Sequence, residues 1–142
     1  MYIQVFRVPV EVFLWCQFLD GLTPIQMTFE GRNYDVLTGI TAPVFAWICY
    51  GQGRKLHKLA IAWNIAGLVL LLNIVITAIL SAPVPFRVFM NEPANTLVAE
   101  FPIVLLPSFL VPLAFAMHFF FFRKMYLQHR SPASAHIAPA TL

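Results

Sequence analysis

Two residues of opposite charge, Arg7 and Glu11, stand four positions apart in the otherwise apolar stretch VFRVPVEVFLW at residues 5–15. Side chains at this spacing share one face of a helix, so the guanidinium and the carboxylate can pair with each other. A carboxylate in such surroundings can also take up a proton or coordinate a cation, with the arginine as its counter-charge. The pattern predicts a buried ion pair, which is either a structural link or the centre of a functional site.

The composition of the 142-residue chain indicates which kind of element carries this pair. Hydrophobic residues make up 60% of the chain and charged residues only 11%, whereas soluble domains are roughly 25% charged. A helix needs about 20 apolar residues to cross the bilayer core. The sequence therefore predicts an all-α protein, a polytopic transmembrane bundle of four helices at about 2–19, 35–50, 56–80 and 101–122. Residues 1–124 form the predicted transmembrane domain, and residues 125–142 a flexible cytoplasmic tail.

The charges predict how these helices are oriented in the membrane. Six basic residues lie in the loop after the second predicted helix or near the C-terminus: Arg54, Lys55, Lys58, Arg123, Lys124 and Arg130. Five acidic residues lie at the opposite ends of the helices: Asp20, Glu30, Asp35, Glu92 and Glu100. By the positive-inside rule, both termini are expected to be cytoplasmic. Loop 21–34 is expected along the membrane surface.

This charge pattern also predicts the partners. The net charge of +3 indicates contact with anionic lipid headgroups and no nucleic-acid binding. The lipid bilayer is the expected partner, together with other membrane proteins or a second copy of the chain.

Depth along the predicted helices brings further polar residues to the charged pair. Counted at about 1.5 Å per residue from the cytoplasmic ends, Arg7, Glu11, Asn64 and His118 fall in one layer of the inner half of the membrane. A charge in the bilayer is costly, so these side chains are expected to face the bundle interior and bind one another. Alternatively, the layer is a structural lock, or Arg7 extends to the nearby interface.

A second group of polar and helix-breaking residues falls in the outer half of the membrane. Pro107 and Pro112 each remove a helical hydrogen bond inside the fourth helix, and Ser108 or Asn73 is available to replace it. This predicts either a kinked packing helix or a broken helix that lines a cavity. Asn73 and Thr41 are expected to link neighbouring helices by hydrogen bonds.

No motif indicates an enzyme or a cofactor. Glycine-rich phosphate loops, nucleophile elbows and HExxH zinc motifs are absent from the sequence, and no cofactor is predicted. His57 and His118 leave open a haem held between two helices, although His57 lies in the basic stretch RKLHK, where a solvated histidine is expected.

Four stretches carry a resemblance to known proteins: FRVPVEVFLW, MTFEGRNYDVLTGITAPVFAW, WNIAGLVLLLNIV and FPIVLLPSFLVPLAFAMH. In this order they resemble a group of small multi-pass bacterial inner-membrane proteins found among the Bacteroidetes. The resemblance implies a membrane protein with further N-terminal hydrophobic helices ahead of the matched segment. It implies no catalytic residues.

The leading functional hypothesis is a non-enzymatic membrane bundle that binds or conducts a small solute, a lipid group or a proton at the polar layer. In this hypothesis Glu11 titrates or coordinates a cation, Arg7 is its counter-charge and His118 is a proton partner. The alternatives are a structural or accessory subunit of a larger membrane complex and a haem-binding electron carrier.

Overall fold

The computed structural model describes residues 1–130, apart from the side chain of His129. A short 3-10 helix at Tyr2–Phe6 leads into four α-helices, and residues 1–130 contain no β-strand. The α-helices are α1 (Arg7–Leu19), α2 (Val36–Tyr50), α3 (His57–Ser81) and α4 (Val111–Arg130). The prediction of an all-helical protein with four helices is confirmed.

Two helical stretches are long and apolar enough to cross a membrane, namely His57–Ser81 and Leu106–Gln128. The 13 residues of α1 and the 15 of α2 correspond to only about 20 and 22 Å of helix. Residues 2–6 of the first predicted span form the 3-10 helix, which precedes α1 and lengthens this helical stretch at its N-terminal end. After α2, Gln52 and Gly53 have φ values of 54° and 77°, and this left-handed backbone ends the helix.

The segment between α1 and α2 turns back along α1, so the prediction that loop 21–34 follows the membrane surface is wrong. Trp15 Nε1 donates to Glu30 Oε1 over 3.0 Å near the end of α1, and Asn33 contacts Glu11 one turn earlier. Asp35 reaches Arg7 at the start of α1. Segment 28–35 therefore runs antiparallel to α1 in non-helical conformation.

The compact shape of this returning segment depends on Gly31. A Cβ atom at residue 31 would lie 2.2 Å from the carbonyl oxygen of Ile25. The backbone N–H groups of Gly31 and Asn33 both donate to the carbonyl of Thr28, over 3.0 and 3.1 Å. Thr28 and Asn33 are fully buried, so both ends of the turn are anchored in the protein interior.

The fourth helix begins later and ends later than predicted. Residues Leu106–Leu110 form a π-helical turn, in which the N–H of Val111 donates to the carbonyl of Leu106. Such wide turns relieve a break in the regular hydrogen-bond ladder, here next to Pro107 and Pro112. α4 then continues through Arg130, so residues 125–130 of the predicted tail are helical. The rest of that predicted tail, 131–142, lies outside the described residues.

The C-terminal end of α3 is tied to two loops by a group of polar residues that we call the Ser81 cluster: Gln26, Ser81, Asn91 and Asn95. Gln26 Nε2 donates to Ser81 Oγ, and Asn91 Nδ2 donates to Gln26 Oε1, each over 3.1 Å. The backbone N–H of Asn95 donates to the Ser81 carbonyl over 3.0 Å. The cluster holds the loops before α2 and before α4 against α3.

Candidate functional site

Arg7 occupies the centre of a buried hydrogen-bond network. Its Nε donates to Gln4 Oε1 over 2.9 Å, and its Nη1 forms an ion pair with the Asp35 carboxylate and lies 3.5 Å from the Gly67 carbonyl oxygen. Its Nη2 lies 3.1 Å from His118 Nε2. All three guanidinium nitrogens thus bind protein groups, and only 2% of Arg7 is exposed.

His118 extends this network from α4 to α3. Because an arginine N–H can only donate, the facing His118 Nε2 must accept, and Nδ1 then carries the proton of a neutral ring. Nδ1 lies 3.1 Å from Asn64 Oδ1, and Asn64 Nδ2 donates to the Ala60 carbonyl over 2.8 Å. The network thus brings Arg7, His118 and Asn64 together, as their depth in the sequence predicted.

The close packing at this network requires a glycine in α3. A Cβ atom at Gly67 would lie 3.0 Å from both His118 Cε1 and Thr38 Cγ2. Few side chains tolerate such a contact without moving, and the interior leaves little room for movement. Gly67 therefore lets α2 and α4 approach α3 at the level of Arg7.

The predicted pairing of Arg7 with Glu11 is wrong. Arg7 pairs with Asp35, whereas both oxygens of Glu11 lie 2.6 Å from Asn33 Nδ2. Asn33 Nδ2 also lies 3.0 Å from the Met27 carbonyl oxygen. The reason is the returning segment 28–35, which brings a second carboxylate and an amide to α1.

Sequence reasoning missed Asn33 and Asp35 because a surface loop would keep them far from Arg7. One local signal was present. The Asp35 backbone N–H donates to Asn33 Oδ1 over 3.2 Å, which is the Asx turn that an asparagine two residues ahead of a helix start favours. Gln4 was also missed, since a glutamine within an apolar helix can face either side.

The residues predicted for the outer half serve packing, in part as expected. Thr41 accepts a hydrogen bond from Trp63 Nε1 over 2.9 Å and so links α2 to α3. Asn73 Nδ2 donates over 2.7 Å to the carbonyl of Arg32, which belongs to the returning segment and not to another helix. Asn73 thus holds that segment against α3.

In the proline-rich turn before α4, a backbone N–H replaces the hydrogen bond that Pro107 removes. The Ile103 carbonyl, which Pro107 cannot serve, accepts from the Leu106 N–H over 2.8 Å. Ser108 Oγ donates to the Val104 carbonyl over 2.6 Å and not to a carbonyl freed by proline. Asn73 makes its bond elsewhere, so the predicted help from Asn73 and Ser108 is not observed.

A cleft of about 350 Å³ lies between α1, α3 and the start of α4. Its walls are apolar and include Val10, Leu14, Leu71, Val75, Val111 and Ala114. Pro107 and Leu106 also line it, so the π-helical turn forms part of one wall. The sequence prediction of a broken helix beside a cavity therefore has a structural counterpart.

Three charged side chains also line this cleft: Arg7, Glu11 and Asp35. Arg7 pairs with Asp35 and not with Glu11. Glu11 has instead the side-chain amide of Asn33 as its hydrogen-bond donor. A carboxylate accepts more hydrogen bonds than one amide group supplies. The cleft therefore offers an apolar chamber with an unneutralised acid in one wall.

The contacts of His118 disfavour a role as a haem ligand. Both ring nitrogens of His118 already bind protein groups, so iron ligation would break a contact with Arg7 or Asn64. His57 is the first residue of α3, and its ring lies beside the Tyr50 ring at 6.4 Å between centroids. Across residues 1–130, no group of three or more His, Cys, Asp or Glu side chains is placed to hold a metal ion.

Comparison with known proteins gives one match. The model of a family described as a domain of unknown function, DUF8737, matches residues 1–126. No curated protein and no solved structure matches the chain. Since the match covers most of its length, the chain belongs to the DUF8737 family.

Proposed function

We propose that this chain is an integral protein of a bacterial inner membrane whose cleft binds a small amphiphilic solute or lipid group, with the polar end of that molecule at Glu11. The observation that carries the proposal is a cleft in which apolar walls meet Glu11. In this proposal the four helices form a transmembrane bundle with both ends cytoplasmic.

The surface of α3 supports the bilayer as the surroundings. Ile65, Val69 and Ile76 are 50%, 58% and 53% exposed. They lie along one helix, α3, which is long enough to cross a membrane. A soluble protein seldom displays such a continuous apolar surface without a partner. Lipid tails cover it at no cost, which is why we favour a membrane location.

The position of the charges supports a role in binding. Gly67, whose carbonyl faces Arg7, lies ten residues after the start of α3, or about 15 Å along the helix axis. This level is close to the middle of a bilayer core of about 30 Å. Ionisable groups at such depth mark solute or ion sites by default, and Glu11 is the one that borders the cleft without an arginine bond.

The size of the cleft suits a small ligand. Ligand pockets span about 300 to 1,000 Å³ and combine apolar walls with a few polar groups, and the volume here is about 350 Å³. A ten-carbon amphiphile therefore matches the chamber in character, with its alkyl chain along Leu71 and Val75 and its polar end near Glu11.

Filling the cleft tests the proposal. The protein is placed in nanodiscs, and its thermal stability is followed while decanol is added. A bound ligand stabilises by an amount that saturates with its concentration. We expect saturable stabilisation in the wild type and its loss in Val75→Phe, because the larger ring occupies the cleft.

Ile76→Phe is the matched control, since Ile76 follows Val75 in α3 and is exposed. This variant adds the same phenyl ring on the exposed surface of α3, where it does not fill the cleft. Any change in stability that decanol causes through the lipid is therefore expected in both variants. Equal responses of wild type and both variants would contradict binding in the cleft.

One observation favours the second candidate, a structural or accessory subunit. Arg7, His118 and Asn64 are buried and bound to one another, as a purely structural network would be. Stoichiometric partners that co-purify in mild detergent, together with no response to decanol, would support this alternative.

A further inference from the structure

The charges around the cleft do not balance. From α1 the charged side chains are Arg7 and Glu11, and from the start of α2 the charged side chain is Asp35. His118 of α4 meets Arg7 through an accepting nitrogen and is neutral. The α3 wall contributes apolar side chains such as Leu71. The cleft thus has two carboxylates and one arginine, and Arg7 bonds directly to Asp35 and not to Glu11.

Glu11 is therefore the carboxylate that lacks a positive partner. Its negative charge must be neutralised either by a proton or by a cation in the cleft. Glu11 is 3% exposed and accepts from Asn33, which supplies a dipole but no charge. An ionised carboxylate in such a dry place is unfavourable, so an empty cleft favours the neutral acid. A positively charged group arriving in the cleft would meet an acid that can release its proton and neutralise it.

We propose that the cleft selects cationic amphiphiles, whose positive head group displaces a proton from the Glu11 carboxyl. The O–H bond of Glu11 breaks and its electron pair stays on the carboxylate. The proton leaves to solvent, and the carboxylate pairs with the head group, so one positive charge replaces another. This inference rests on the proposed function and assigns the class of solute.

Three probes with the same ten-carbon chain test the selectivity: decyltrimethylammonium, decanol and decyl sulfate. They are added to the protein in nanodiscs of zwitterionic lipid, and saturable thermal stabilisation gives an apparent Kd for each. We expect decyltrimethylammonium to bind roughly tenfold or more tightly than decanol, because attraction between charges is strong in a dry site. Decyl sulfate is expected to bind most weakly.

The pH dependence tests the exchange. Decyltrimethylammonium keeps its charge at all pH values, so only the protein titrates. Where Glu11 is protonated in the empty protein, each unit of increasing pH is expected to lower the apparent Kd by about tenfold. The Kd becomes constant where Glu11 has already lost its proton. In weakly buffered solution at a pH where the Kd still falls with increasing pH, binding is expected to release about one proton per ligand.

Glu11→Gln removes the exchangeable proton while keeping the size of the side chain. We expect this variant to lose both the preference for the cation and the pH dependence. Glu30→Gln is the matched control, because Glu30 is an exposed acid outside the cleft. Glu11→Asp keeps the charge and is expected to retain the pH dependence.

The outcomes separate the two proposals. Equal binding of all three probes, each lost in Val75→Phe, would overturn the selection of cations but support the cleft as a binding site. No saturable binding of any probe would overturn the proposed function itself. A cation preference that persists in Glu11→Gln would overturn the exchange at Glu11. So would a wild-type Kd that does not change with pH and binding without proton release across the whole pH range in which the protein is folded. If Glu11→Gln does not fold, proton release and the pH profile of the wild type decide.

Discussion

Arg7 and Glu11 lie one helical turn apart, yet their surroundings differ in kind. Arg7 has a protein partner at every nitrogen and an ionic partner in Asp35. Glu11 has one amide donor, Asn33, and borders an apolar cleft. A single turn of helix thus separates an arginine that is bonded at every nitrogen from a buried acid that borders the cleft, and under the proposed function only the acid binds the ligand.

The difference has a physical origin in the returning segment 28–35. This segment supplies a carboxylate to Arg7 but an amide to Glu11. A buried ion pair with further hydrogen bonds has little left to offer a ligand. A carboxylate that faces an amide keeps the capacity to bind a proton or a cation. Stability and ligand response are therefore expected to respond to different residues.

The largest effect on stability is expected at Arg7. Arg7→Met leaves Asp35 as an unpaired charge in the interior, which costs about 3 to 5 kcal/mol. Denaturation in mild detergent would measure the loss. The double variant Arg7→Met with Asp35→Leu is expected to recover much of it, since neither charge remains. A double variant no more stable than Arg7→Met would contradict the pairing.

A smaller loss is expected from Gly67→Ala. The added Cβ atom would lie 3.0 Å from His118 and from Thr38, and such overpacking costs about 1 to 3 kcal/mol. Thermal unfolding in nanodiscs would measure it. Thr38→Ser removes the contacting methyl group, so the double variant is expected to be more stable than Gly67→Ala alone. Full wild-type stability of Gly67→Ala would show that the helices are less tightly packed here.

Asn33→Ala tests the open side of the comparison. It removes the donor to Glu11 and is expected to destabilise the protein by about 1 to 3 kcal/mol, because a buried acceptor is left unsatisfied. Combining it with Glu11→Leu removes the acceptor as well, so denaturant titration should find the two changes less than additive. Strict additivity would mean that Asn33 does not stabilise Glu11.

The smallest effect is expected at Thr41, away from both regions. Thr41→Val removes the acceptor for Trp63 Nε1, and one such hydrogen bond contributes about 0.5 to 1.5 kcal/mol. The response to decyltrimethylammonium should remain as in the wild type. A change in that response would show that the link between α2 and α3 also shapes the cleft.

Hydrophobicity and helix signals in the sequence suffice to predict four helices, and the start of α2 after Asp35 is close to the observed one. Depth counting also places Arg7, Asn64 and His118 together, because regular helices convert residue number into distance. These parts of the molecule depend on local sequence and periodicity.

The ionic partner of Arg7 could not be predicted in the same way. Asp35 lies 28 residues from Arg7 in the chain, and its position depends on a non-helical segment that has no periodicity. The spacing of Arg7 and Glu11 satisfies the helix rule for an ion pair, but that pairing stabilises a helix by only about 0.2 to 0.5 kcal/mol. A buried Asp35 with direct contact to the guanidinium outweighs it.

The Ser81 cluster has a consequence for how a molecule reaches Glu11. It lies next to Met27 and Ala78, which both line the cleft. A solute that enters beside the cluster would have to break several side-chain hydrogen bonds, whereas Val10 and Leu14 of α1 and Val111 and Ala114 of α4 line the cleft with apolar side chains. Under the proposed function, solutes thus arrive sideways from the lipid, and occupancy follows how strongly a compound partitions into the bilayer more than its aqueous concentration.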